Sequence, residues 1–369
     1  MQRLSRRVSI GRSLDEKRPG EVSVEPSIFA RSALIVGKSG TGKSHDIGLI
    51  ALQLAETGVA VVLLDRTGEH AAAMKGGPLV KSMIPGRDLS FSILAPADEG
   101  VLDVGEAIED VLDTLSHYFV VSFDGKPTPL QQRIIRENLQ THYHGDFRAT
   151  EAPTITDFIR NVNQYEELTR RIHGFIESAE SVVSRLHPLT VGRMGELFNR
   201  KGKETSIDEF FAPGVHIVDL SGLRFEPAKT LLSQVIVKKL YHAARRKGIA
   251  AAAGLKQLVM VDEAHHLAPK SAEYYGYLDL MAVENRKYGQ GVLVASTSPS
   301  QLSETILRNA SLRICHQLDD GKDVDLMLRF MANKLESDRY ISDIRDLGVG
   351  EAVVQSSLTS RSLARVKID

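Results

Sequence analysis

The densest chemistry in the chain lies in Gly37-Lys38-Ser39-Gly40-Thr41-Gly42-Lys43-Ser44. Glycines at this spacing let the backbone curl so that successive N–H groups point at one anion. Lys43 supplies a point charge suited to β- and γ-phosphates, and the Ser44 hydroxyl can ligate Mg²⁺. A second centre is Asp262-Glu263, two carboxylates directly after the apolar run Leu258-Val259-Met260-Val261. Downstream of a phosphate loop, the first acid suits the Mg²⁺ shell and the second suits orienting and activating a water. A water-activating acid points to hydrolysis of a triphosphate such as ATP rather than transfer to another acceptor.

Further candidates stand at the ends of apolar runs. Asp65 and Glu69 follow the run 59–64, and open α/β sheets bind ligands at the carboxyl ends of their strands. For both, the alternative is a loop carboxylate that caps the next helix. The nucleotide-facing reading is preferred for Asp65, and the two readings stand level for Glu69. Thr297 closes the run 291–295 and is placed to sense a γ-phosphate. Arg286 precedes that run, where it can project toward an adjacent subunit and stabilise the charge of phosphoryl transfer. Its alternative is a surface salt bridge. Arg31, upstream of the phosphate loop, is a second such arginine. His265 and His266 lack a third ligand at a suitable spacing, so phosphate sensing or contact with a neighbour is expected of one of them, not a metal.

These residues need strands and helices to hold them. Ala33–Val36 reads as the strand into the phosphate loop, and His45–Glu56 as the helix out of it. The runs 59–64, 214–219, 258–261 and 291–295 read as strands buried on both faces of a parallel sheet. Residues 227–246 and 271–287 read as helices between them. Residues 88–210 carry helical spacing almost throughout, over 101–121, 129–142, from 156, and 165–186, and read as a helical insertion. Its Arg170, Arg171, Arg193, Arg200, Lys201 and Lys203 either line a nucleic-acid path or form solvated faces, the second being preferred. Residues 1–30 alternate like short strands around the charged loop 11–20, as a small β appendage or an arm. Further strands are expected at 311–316, 350–355 and 362–368, and helices at 323–335 and 335–347. Arg361 and Arg365 on the last strand point to the nucleotide or an interface. The expected order is an N-terminal β segment (1–30), the first part of an α/β core (31–87), the helical insertion (88–210) and the rest of the core (211–369).

Composition sets bounds. The chain has 369 residues, a formal net charge of −1 and 42% hydrophobic residues, an ordinary globular balance. The overall field offers nucleic acid no attraction, so such a partner would need a local basic patch or pore. Cys315 is the single cysteine, which excludes an internal disulfide and fits the reducing cytoplasm. No run approaches the ~20 apolar residues of a membrane span, and no membrane association is expected.

Five blocks together, 37–44, Asp65-Arg-Thr-Gly-Glu-His70, Val261-Asp-Glu-Ala-His-His266, Arg286-Lys-Tyr-Gly289 and Ala295-Ser-Thr-Ser-Pro-Ser300, resemble the HerA family. These are hexameric ATPases of the HerA–FtsK branch of P-loop proteins, related to type IV secretion ATPases. The resemblance spans about residues 25–368. It implies a RecA-like P-loop core in a hexameric ring, with ATP between subunits and double-stranded DNA in the pore. It assigns phosphate and Mg²⁺ to Lys43 and Ser44, the Mg²⁺ acid to Asp262 and the catalytic base to Glu263. Arg286 matches the trans-acting arginine, Arg31 a second arginine before the loop, and Asp65 and Glu69 the acidic strand-end motif. Three departures stand out. Thr297 replaces the family's usual glutamine, Ser298 replaces the arginine that follows it, and about 30 residues stand where a larger nuclease-docking β-barrel is usual. The family implies a nuclease or other effector partner, in DNA end processing or antiviral defence. An ATP-gated scaffold and a secretion-type ATPase are the alternatives.

Overall fold

The computed structural model describes residues 7–16, 19–98, 103–123, 125–143, 152–169, 174–200, 204–248, 254–271, 275–332, 343–356 and 363–368. Two compact units result. One comprises residues 1–82, 210–219 and 247–369, and the other 83–209 and 220–246.

The first unit is built on one sheet. Its strands are β1 (Val8–Ser13), β2 (Glu21–Val24), β3 (Ala33–Val36), β4 (Ala60–Asp65), β5 (Val80–Met83), β6 (Gly214–Asp219), β7 (Gln257–Val261), β8 (Gln290–Ser296), β9 (Leu312–Cys315), β10 (Glu351–Ser356) and β11 (Ala364–Lys367). They lie in the order β2-β1-β11-β10-β9-β3-β8-β7-β4-β6-β5. From β9 through β6 the pairs are parallel. The apolar runs of β3, β4, β7 and β8 are buried along their whole length, which accounts for sequences without polar alternation. The other end is antiparallel: β9, β10, β11, β1 and β2 pair in succession. The N-terminal strands are therefore a hairpin that extends the core sheet through β11, not a detached arm. β8 lies beside the phosphate-loop strand β3, with β7 and β4 next, so four strand ends meet at one edge.

The opposite edge of the sheet is tightly docked. A Cβ placed on Gly291 would sit 1.9 Å from the carbonyl oxygen of Phe29, so the turn Pro26–Arg31 lies directly on β8. Cys315 is fully buried at the end of β9, and burial pushes its thiol pKa far up.

The second unit is helical, with helices Val104–Phe123, Pro129–His142, Ile155–Thr169, Phe175–Leu186, Gly192–Phe198 and Glu226–Arg246. The helix Pro129–His142 starts where Thr128 and Gln131 form a capping box. The sequence reading groups Glu226–Arg246 with the core, whereas this helix clusters with the helical unit. Its Lys238 is buried, donates to the Asp110 carbonyl at 2.7 Å and pairs with Asp110 and Asp113 at 3.0 Å. A buried ammonium needs such partners, and they fix the helix here. Of the basic residues in this unit, Arg200 pairs with Glu196 on the surface and Arg193 donates to the Gly222 carbonyl. Arg170, Arg171, Lys201 and Lys203 lie outside the described residues, as do Arg361 and most of 335–347. Arg365 pairs across β11 with Glu351 of β10 at 2.8 Å. Among the described residues no helix is long and apolar enough to cross a membrane.

Candidate active site

The phosphate loop leaves β3 and turns into the helix Lys43–Glu56, capped by Gly42 in a left-handed conformation. Its outer side is braced from three directions. The Lys38 N–H donates to the Gln317 carbonyl, the Gly37 N–H to the Ser296 carbonyl, and the Gly350 N–H to the Thr41 carbonyl. A Cβ on Gly37 would meet the His316 Cβ at 2.5 Å, so only glycine fits there. His316 is itself locked. Its Nε2 lies 2.7 Å from Asp46 Oδ2 and its Nδ1 3.0 Å from the Glu351 carbonyl, with both side chains buried. Burial raises the Asp46 pKa, and the bond to His316 opposes that rise. One imidazole thus ties the first turn of the loop's helix to β10.

Lys43 is buried, and its ammonium donates to the Gly37 and Lys38 carbonyls at 2.7 and 3.0 Å. Burial lowers its pKa against the opposing charges of Glu263, Asp262, Glu69 and Asp46. Those carbonyls hold the ammonium inside the loop, where an arriving phosphate can take over its donors. Lys38 pairs outward with Asp319 at 3.2 Å. Ser39 and Gly40 form the exposed tip of the loop.

Of the two acids at the end of β4, the one preferred for the nucleotide turns away from the loop, and the one whose two readings stand level reaches it. Asp65 is fully buried. Its Oδ1 accepts from the N–H groups of Thr67 and Gly68, and its Oδ2 from that of Ala71. A buried carboxylate must be satisfied, and the nearest donors are in its own loop. Asp65 therefore organises the turn instead of facing the nucleotide loop. Glu69, at the start of the helix this turn launches, accepts from the Ser44 hydroxyl at 3.1 Å. Glu69 is thus the acid that reaches the phosphate loop.

Asp262 and Glu263 leave β7 at the same edge. Asp262 is buried, and its Oδ1 accepts from the Glu263 N–H at 2.9 Å. His70 Nε2 lies 3.4 Å from Asp262 Oδ2, buried and without a hydrogen bond. Glu263 has φ 48° and ψ 50°. A left-handed non-glycine residue costs on the order of 1–3 kcal/mol and is kept where its side chain is needed. The bend aims Glu263 at the neighbouring strand end, where the Thr297 hydroxyl donates to its Oε2 at 3.2 Å. His265 Nδ1 lies 3.3 Å from the same oxygen. Burial raises the Glu263 pKa, but His265, Lys43 and Thr297 outweigh it and leave the carboxyl below the usual glutamate value. Glu263 is thereby ionised and restrained. In the turn Ala264–His266 the two imidazoles pack with centroids 4.2 Å apart.

A prediction follows for His265. In His265→Ala, Glu263 keeps the burial that raises its pKa and loses a group that lowers it. The carboxyl then picks up a proton at higher pH, so the acid limb of the hydrolysis rate moves upward in pH. A pH–rate profile of kcat checks this, and an unshifted limb means His265 does not tune Glu263.

Arg286 and Arg31 lie at the other edge. Arg286 sits in the turn Asn285–Tyr288 before β8, and Arg31 ends the turn before β3. At about 3.3 Å per residue, the seven residues of β8 put Arg286 about 20 Å from the Thr297 end. Arg286 is exposed, and its side chain makes no hydrogen bond or ion pair with the described residues. Among the described residues Arg286 has no salt bridge, and the arginine cannot reach the phosphate loop of its own chain.

Sequence reasoning assigned no role to His70, Asp46 or His316. His70 was visible inside the block 65–70 beside Glu69, but its partner Asp262 lies on another strand. Asp46 and His316 stand 270 positions apart, and only the sheet order joins them.

Comparison with known proteins fits this arrangement. Residues 8–240 match a family model described as "Helicase HerA, central domain". The chain is 21% identical over 354 residues to a protein named DNA double-strand break repair helicase HerA from Sulfurisphaera tokodaii, covering 95% of this chain and 67% of that one. The longer alignments to such relatives span 64–72% of the relatives' own length. Among solved structures, VirB4 of Thermoanaerobacter pseudethanolicus superposes with a TM-score of 0.74 at 15% identity, covering 98% of this chain and 96% of that one. The plasmid coupling protein TrwB, solved with a non-hydrolysable ATP analogue, gives 0.66 at 14% identity, with coverage of 94% and 87%. The phosphate loop, the paired acids and the matched residues together place this chain in the HerA helicase family, as a P-loop ATPase.

Proposed function

We propose that the chain hydrolyses ATP with Mg²⁺ at a site completed between neighbouring copies in a ring, six by family resemblance, and that turnover drives movement along or opening of duplex DNA. The observation that carries this reading is the separation of the site's two halves. Loop, acids and Thr297 share one edge of the sheet, whereas Arg286 and Arg31 occupy the other. A second copy is the simplest source of the missing guanidinium.

Backbone N–H groups of 37–44 and Lys43 grip the β- and γ-phosphates. Ser44 and Asp262, with Glu69 on the Ser44 hydroxyl, would hold Mg²⁺. Bound there, the ion supplies neutralising charge to the phosphate oxygens. The fit rests on the buried His70 Nε2, which lies 3.4 Å from Asp262 Oδ2 and makes no hydrogen bond, and on a hydroxyl already bonded to a carboxylate. Among the described residues no group of three or more His, Cys, Asp or Glu could hold a metal by itself. Glu263 takes the proton of the attacking water, and Thr297 carries the state of the γ-phosphate to it. The relatives' names, DNA double-strand break repair helicase, support DNA as the track; a nuclease or other effector as partner, in DNA end processing or antiviral defence, rests on the family resemblance alone.

The deciding experiment measures ATPase rate with and without duplex DNA, on material whose mass in solution is known. The expected result is a ring whose turnover rises with duplex DNA. Full turnover by a monomer overturns the shared site. A ring indifferent to DNA, whose effector is lost in Lys43→Ala but kept in Glu263→Gln, marks an ATP-gated scaffold.

A further inference from the structure

Three carboxamides form a buried line across the sheet edge that carries Arg286. Asn285 Nδ2 donates to Gln290 Oε1, Gln290 Nε2 to Gln257 Oε1 at 2.6 Å, and Gln257 Nε2 to the Phe210 carbonyl at 2.7 Å. Each of the three side chains is at most 1% exposed. Gln257 and Gln290 are register partners on β7 and β8. All donors run one way, toward Phe210, so each bond polarises the next.

Stability alone does not call for this arrangement. Apolar side chains of the same shape would fill the space at little cost, whereas each buried amide demands partners in fixed directions. What the line does fix is the turn between its members. Asn285 immediately precedes Arg286, and Gln290 follows at the start of β8. Between them Gly289, at φ 72°, donates its N–H to the Arg286 carbonyl. The Gly289 carbonyl accepts from the N–H groups of Lys256 and Gln257. The backbone of Arg286 is thus held on both sides while its guanidinium has no partner among the described residues. The next residue, Gly291, seats the turn that ends in Arg31.

We propose that Asn285, Gln290 and Gln257 are positioning residues for Arg286, setting where its guanidinium meets the γ-phosphate bound to an adjacent copy. This rests on the shared-site reading above. An arginine that acts only in the transition state loses its effect when displaced by about 1 Å, a loss on the order of 10²-fold in rate.

The test uses Gln290→Leu in the full chain, with Gln257→Leu as the second variant that breaks the next bond. The expected result is a fall in kcat on the order of 10²-fold, with ring mass unchanged and the affinity for a fluorescent ATP analogue within about twofold. Mixing either variant with Lys43→Ala subunits is expected to restore turnover. Such rings pair an intact phosphate loop with a correctly held arginine from the neighbour. Arg286→Ala mixed with Lys43→Ala serves as the reference. If the reference mixture recovers but the glutamine variants keep normal kcat, or do not recover on mixing, the amide line does not position Arg286. If both glutamine variants fail to assemble, the line is a folding element and the proposal is overturned. If the reference mixture itself fails to recover, the shared site is wrong.

Discussion

Arg286→Ala is expected to bind ATP and assemble as the native chain does, yet to hydrolyse ATP about 10³–10⁵-fold more slowly, the range for removal of a donated arginine. Arg286 leaves the sheet at the edge opposite the phosphate loop, is exposed, and has no ion pair among the described residues. Its removal costs no internal bond, so folding and the loop of its own chain are untouched. If the side chain served only as surface charge, the substitution would be worth a few tenths of a kcal/mol of stability and nothing in rate. Turnover per site at saturating ATP, on rings of verified mass, separates the two. Normal turnover removes the arginine from the mechanism.

Glu263→Gln is expected to keep ATP bound and lose about 10²–10⁴-fold in kcat, the usual weight of a positioned general base. Glutamine preserves the shape and can still accept the Thr297 hydroxyl, but it cannot take a proton from water. The backbone bend at this residue and the restraint of Oε2 by Thr297 and His265 show a side chain held for one direction of approach. Binding should survive because Lys43, Ser44 and the loop amides are independent of it. Fluorescent-nucleotide titration and steady-state rate measurement on the same preparation check both halves. Loss of binding together with rate would recast Glu263 as part of the binding loop.

The parts of the site that are contiguous in sequence were legible there. The phosphate loop needs only its glycines, lysine and serine between an apolar strand and a helix. Asp262-Glu263 and Thr297 needed only the rule that ligands meet strand ends. What the sequence could not decide was which of two nearby acids turns inward. Asp65 and Glu69 differ by one helical turn, and the choice depends on where the backbone donors of 67–71 fall. Contacts across the sheet were silent as well. The Asp46–His316 pair and the line Asn285–Gln290–Gln257 exist because strand order brings distant residues together, and no local pattern encodes that order. The helix Glu226–Arg246 shows the same limit. Its amphipathic spacing is real, but its buried Lys238 finds its partners on the helix Val104–Phe123.

The seclusion of Cys315 has a practical consequence. Its thiol is fully buried and held in the protonated form, so it should ignore maleimides and mild oxidants in the folded protein. A cysteine introduced at an exposed position would then be the one reactive handle on each protomer. Dyes attached there would test whether copies associate and report the distances between them, without first stripping the native residue from the chain.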